Sequence, residues 1–324
     1  MAPHALADET GPATATGTAQ QVSCALTQDL TLLGGGGPQP PVATPRFIYG
    51  TAWKGDRTAD LVYQALKCGF RGIDTANQPG SYHEHLAGDG VRRAVAEGIV
   101  TRESLYLQTK FTYTADGPHH ADRGPQEPAA PLEEQIQTSV ARSLEDLATI
   151  PSSSSAAPYL DCLVLHTPFR TTEETMRYWR AIETYVPHQI RHLGIANAQS
   201  GIVEQILYDE AVRFPPSVVQ NSFTRKTDFD TNLRHLCRQR GIVFQTFWTL
   251  TANARLVGSR LIEDVAICTG TSREVAFYAL VLGLGARPSS TALRARCTCA
   301  RTSRVSGRSN IGRTARGGTH GRLI

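Results

Sequence analysis

GFRGIDTANQPGSY, residues 69–82, runs from an apolar segment into a carboxylate, then a Pro-Gly turn, then a tyrosine. Its first half has the aromatic and β-branched content of a buried strand. Asp74 stands where that strand ends, and Pro79-Gly80 marks a loop before Tyr82. Six other short runs share this make-up: RFIYGTA, LYLQTKF, LDCLVLHT, IRHLGIAN, SVVQNSF and IVFQTFW. Helical patterns lie between them. In PLEEQIQTSVARSLEDL, Leu132, Ile136, Val140, Leu144 and Leu147 fall on one helical face, read as a core face and nothing more. Pro131 and the acids after it suit a first helical turn.

Seven strands alternating with helices predict a (β/α) barrel or a doubly wound parallel sheet. Periodicity leaves both open. No G-x-G-x-x-G opens a helix after the first strand, which counts against the doubly wound sheet. Asp74, Lys110, His166, Asn197, Gln220 and Phe247 all fall at or just past C-terminal strand ends. Barrel enzymes place their chemistry there.

The chain has 324 residues and a formal charge of +4. Residues 288–324 hold eight Arg and no Asp or Glu, so the positive charge lies in the tail and the body is mildly acidic. The basic balance therefore predicts no nucleic-acid partner. No apolar run has the length of a membrane span, and the first residues lack the basic and apolar regions of a secretory signal. Seven scattered Cys favour reduced thiols in a cytoplasmic protein. Cys297 and Cys299 have no second pair at zinc spacing, and the adjacent His119 and His120 read as exposed loop residues, so no metal is expected. Residues 1–45 read as a disordered extension and linker, 46–287 as the barrel, and 288–324 as a disordered Arg-rich tail.

Each chemical candidate has a plainer reading taken singly. A strand-end Asp caps helices, a loop Tyr is amphipathic surface, a strand-end Lys is solvated, and a His after an apolar run is a core-edge side chain. Together they form a mechanism. A phenol can protonate a carbonyl oxygen while a hydride reaches its carbon, provided its pKa is brought down from about 10. Lys110 would lower it, Asp74 would hold Lys110, and His166 would orient and polarise the carbonyl.

In order and surroundings these residues resemble the aldo-keto reductase superfamily. The resemblance runs from near Phe47 to Pro288 and implies a (β/α)8 TIM barrel that reduces an aldehyde or ketone with NADPH. GTAWK (50–54) is similar to the first-strand loop, placing Trp53 in the substrate pocket and Thr51 at the cofactor. Asn197 and Gln220 would bind the nicotinamide carboxamide, with Ala196 standing where the family usually has Ser. Phe247 would stack on nicotinamide, and Trp248, Thr249 and Leu250 would line the diphosphate path. The eight-residue step from Asp74 to Tyr82 is longer than in many members and resembles a fungal-type subgroup. The implied partner is a small-molecule carbonyl substrate. Which carbonyl, and which oligomeric state, the sequence does not say.

After ALVLGLGARP the resemblance stops, so the last strand and C-terminal helix are expected to be missing or disordered. Ser289–Ser303, written in selected synonymous codons and read from the third base, gives Leu-Asn-Gly-Thr-Thr-Ser-Glu-Val-His-Met-Arg-Glu-Asp-Leu. That resembles the absent family segment and suggests a tail translated out of frame. The rival expectations are a cofactor-impaired homologue and a non-catalytic nucleotide-sensing barrel.

Overall fold

The computed structural model describes residues 29–33, 38–39, 41–113, 130–149, 157–285 and 287–290. The expectations for residues 1–20, for most of the two polar inserts and for 291–324 fall outside these.

Seven parallel strands form within the predicted runs: β3 (Ile48–Gly50), β4 (Gly72–Asp74), β5 (Tyr106–Phe111), β6 (Leu160–Leu165), β7 (Ile190–Ala196), β8 (Val218–Ser222) and β9 (Val243–Phe247). They pair in chain order. On β5 the side chains alternate between the two faces, as strand geometry requires. Tyr106, Gln108 and Lys110 take one face. Leu107 and Phe111 join the large cluster between sheet and helices, with Ile136, Val140 and Leu144 of the helix Leu132–Asp146.

The barrel expectation holds, and a short four-residue strand stands at the point where the last strand was expected to fail. Arg287–Ser290 (β10) pairs in parallel with β9 through Arg287↔Gln245 and Pro288↔Thr246, and with β3 through Ser289↔Ile48 and Ser290↔Tyr49. The eight strands form a closed barrel, and neither β3 nor β9 is left as an open edge. Closure needs main-chain groups in place, which four residues without a strand signature can provide.

The linker reading of residues up to 45 is corrected. Leu30–Leu32 (β1) and Val42–Thr44 (β2) form an antiparallel hairpin with Leu32 opposite Val42. Leu32 and Val42 are buried against Ile48, Tyr106, Val218 and Val243, each the first residue of its strand. The hairpin therefore plugs the N-terminal end of the barrel. Burying one Leu in this way stabilises by roughly 1.5–3 kcal/mol.

Three smaller readings change. Pro131 is the residue before the helix Leu132–Asp146 rather than inside its first turn. That helix buries Gln135, Ser139 and Ser143 as well as its apolar stripe, so it is more than a core face. Cys68 is disulfide-bonded, against the expectation of reduced thiols, whereas Cys162, Cys237 and Cys268 are free. Among the described residues, no single helix is long and apolar enough to cross a membrane, and no cluster of side chains suits a metal.

Candidate active site

The C-terminal ends of the barrel strands surround a cleft of about 300 Å³. Trp53, Asp74, Tyr82, His166, Asn197, Gln220, Phe247 and Trp248 line it, all named by the sequence. Ala52, Gln78 and Ser81 line it as well and were not anticipated. Trp53 and Trp248 sit exposed with φ of 61° and 55°, a backbone region that bulky side chains rarely adopt. Such conformations collect at sites where surrounding structure over-determines them. The peptide N–H of Trp53 donates to the carbonyl of Ser81 at 2.8 Å, tying the first loop to the Tyr82 loop.

Lys110 lies behind the cleft wall, only 1% exposed. Its Nζ donates to Asp74 Oδ2 at 2.7 Å and to the carbonyl of Thr75 at 2.8 Å. It stands 4.9 Å from the centre of the Tyr82 ring. Burial alone would lower the Lys110 pKa, but the Asp74 carboxylate beside it outweighs that effect and leaves the ammonium favoured. Tyr82 behaves differently from the expectation. Burial raises its phenol above the ordinary value, and Lys110 offsets only part of that rise. The phenol is thus held protonated.

The rings of Tyr82 and His166 meet edge to face at 6.0 Å. Burial, helped by the Lys110 charge, pushes the imidazole down to about 3, so it is neutral across the physiological range. Its Nδ1 lies 2.8 Å from the hydroxyl of Thr112, a contact the sequence did not suggest. Stacked Tyr113 and Phe169, 4.1 Å apart, clamp the segments that carry Thr112 and His166.

Thr51 is buried with its hydroxyl on the carbonyl of Asp74 at 3.1 Å, so it braces that strand end from outside the cleft. Thr249 is buried with its hydroxyl 3.0 Å from that of Thr246, and Leu250 packs on the core. Neither Thr249 nor Leu250 lines the cleft with Trp248.

Outside the barrel wall, a buried polar cluster holds these strand ends from the rear. Glu84 accepts from the hydroxyls of Thr109 and, at 2.9 Å, Ser143. Asn77 donates to the carbonyl of Ser139 at 3.2 Å and to Ser143 Oγ at 3.3 Å. Gly88 permits this packing, because a Cβ there would sit 1.8 Å from the carbonyl oxygen of Asp146. Burial raises the Glu84 carboxyl to about 7, against the lowering effect of the two hydroxyls. The sequence neighbours of Asp74, Tyr82 and Lys110 thus share one anchor on the helix Leu132–Asp146.

The profile of the aldo/keto reductase family matches residues 48–270. The chain belongs to that family. It is 23% identical over 210 residues to an uncharacterised oxidoreductase of Saccharomyces cerevisiae, covering 64% of this chain and 66% of that protein. It is 26% identical over 195 residues to the NADPH-dependent D-xylose reductase of Meyerozyma guilliermondii, covering 52% and 53%. The match thus spans between about half and two-thirds of the length of these curated relatives. A solved aldo/keto reductase from Brucella melitensis shares the fold, with a TM-score of 0.59 at 21% identity over 80% of this chain and 86% of that one.

Proposed function

We propose that the chain is a carbonyl reductase that uses NADPH to convert an aldehyde or ketone into an alcohol. The observation that carries this reading is the buried Asp74–Lys110 pair beside Tyr82, on a cleft that His166 also lines. Family membership and the NADPH-dependent relative support it.

Tyr82 serves as the acid. Its raised pKa keeps the proton on the phenol at neutral pH, so the donor is ready for a developing alkoxide. Once the proton leaves, the phenolate stands beside the Lys110 ammonium, which Asp74 keeps charged and fixed. His166 is neutral and therefore acts as a hydrogen-bond donor rather than as a cation. In the tautomer whose Nδ1 accepts from the Thr112 hydroxyl, the ring proton sits on Nε2 and can hold the carbonyl oxygen near Tyr82. Trp53 and Trp248 flank the entrance.

The residues present fit the nicotinamide end of the cofactor. Gln220 and Asn197 offer amide groups, and the Phe247 ring offers a stacking face. Bound there, the cofactor supplies the hydride. Trp248 remains the candidate for the diphosphate path.

The test is NADPH oxidation by the purified full chain against a panel of aldehydes and ketones. Tyr82→Phe should cut turnover by roughly 10²- to 10⁴-fold and leave cofactor binding, followed by Trp fluorescence, nearly intact. Turnover that survives in the Phe variant removes Tyr82 from the mechanism. Cofactor binding without turnover of any carbonyl favours a nucleotide-sensing barrel, and failure to bind favours a cofactor-impaired homologue.

A further inference from the structure

Two buried glutamines behind the cleft have no part in the chemistry just described. Gln108 on β5 and Gln245 on β9 meet across the barrel interior as a reciprocal amide pair. Gln108 Nε2 donates to Gln245 Oε1 at 2.8 Å, and Gln245 Nε2 donates back to Gln108 Oε1 at 3.0 Å. One end of the pair continues to Asp74, whose Oδ1 accepts from Gln108 Nε2 at 2.7 Å. The other end continues to Gln220, whose Nε2 donates to Gln245 Oε1 at 2.9 Å. The Tyr106 hydroxyl donates to Gln108 Oε1 at 2.8 Å and completes the set.

The direction of this chain of amides is dictated from one end. The Asp74 carboxylate, paired with Lys110, can only accept. Gln108 must therefore turn its nitrogen toward Asp74. Its oxygen then requires the nitrogen of Gln245, and the oxygen of Gln245 requires the nitrogen of Gln220. Reversing any one amide would bring like groups face to face where neither can reach water. The consequence at the cleft is that Gln220 presents its oxygen. Asn197 arrives at the same state independently, because its Nδ2 is spent on the carbonyl of His166 at 2.9 Å. The two residues are adjacent, with the peptide N–H of Asn197 donating to the carbonyl of Gln220 at 3.0 Å.

We propose that Gln108 and Gln245 are positioning residues that lock the Gln220 amide with its oxygen toward the cleft, and so set how strongly the amides already assigned to the nicotinamide end discriminate in favour of a primary carboxamide. The two N–H groups of such a ligand match two acceptors. The inference rests on the reductase reading only in taking that ligand to be the nicotinamide end of the cofactor.

The experiment titrates the full chain with NADPH and with its 3-acetylpyridine analogue, in which a methyl ketone replaces the carboxamide and removes both donors. The wild type should favour NADPH by about tenfold or more. Gln245→Met keeps the bulk but frees the Gln220 amide to rotate, so the preference should shrink to within about threefold. Gln245→Glu, held protonated by burial, offers its carbonyl oxygen to the Gln220 nitrogen and its hydroxyl to Gln108 Oε1, and should retain the preference. A second measurement needs no cofactor. Side-chain amide exchange followed by NMR should be slow for Gln220 in the wild type and fast in Gln245→Met. A folded Met variant with the full preference, or fast Gln220 exchange in the wild type, overturns the inference alone. A wild type that binds neither dinucleotide overturns the carboxamide assignment together with the reductase reading.

Discussion

The two ends of the barrel interior are made by the same strands and have opposite chemistry. At the N-terminal end, Ile48, Tyr106, Val218 and Val243 pack on Leu32 and Val42 of the hairpin in an apolar cluster. Toward the other end, Asp74 of β4, Gln108 and Lys110 of β5, Gln220 of β8 and Gln245 of β9 form a polar network with nearly every group paired. The difference teaches that burial does not set polarity here. Both ends exclude water. One fills its volume with side chains that need no partner, and the other with groups that need each other.

The sharpest way to break the contrast is to remove one charge from the polar end. Lys110→Met leaves Asp74 buried without its ion, which should cost about 3–5 kcal/mol in urea unfolding and abolish turnover. Adding Asp74→Asn should recover much of the stability and none of the activity. A single variant as stable as wild type would show that the pair is not what holds this end.

At the apolar end, Leu32→Ala should cost roughly 3 kcal/mol through lost burial and the cavity left behind. Cofactor affinity should change by less than about threefold, because the hairpin lies away from the cleft. A large loss of affinity would mean that the two ends are mechanically coupled.

Glu84 offers a pH-dependent version of the comparison from outside the wall. Its native carboxyl is raised to about 7, from 4.5 in the free state. A raised acid contributes stability that is complete below about pH 4.5 and lost as pH climbs through 7. Glu84→Gln should therefore be more stable than wild type above pH 8, by up to about 3 kcal/mol, with the gain vanishing near pH 5. A gain that is equal at both pH values would indicate packing rather than ionisation.

The smallest expected effect is an absence of change. With His166 held near 3 and Tyr82 raised, carbonyl reduction should show no inflection between pH 5 and 8 that belongs to either group. A step near 6.5 that disappears in His166→Asn would mean that the imidazole is charged in part of that range.

Seven of the eight barrel strands were legible in the sequence because each carries its own β-branched and aromatic signature. Asp74, Lys110 and His166 were legible because each ends such a run. The hairpin was not: its strands are three residues long and flank GGGGPQPP, which reads as linker. β10 was not, since Arg-Pro-Ser-Ser has no strand signature and Pro lacks a ladder donor. Thr112, Glu84 and the Gln108–Gln245 pair escaped for another reason. Their meaning lies in partners up to 137 residues away, which no local pattern encodes.

β10 closes the ring with two register pairs on each side, made by main-chain contact. A seat defined by backbone pairing can be filled by a segment that carries no strand signature of its own. Architecture and chemistry are then separately heritable at this point of the chain. Ser289 and Ser290 supply both pairs with β3, so any residues able to offer the same main-chain partners there would close the circle. Completeness of the barrel is therefore a poor certificate that a gene of this kind has been read correctly.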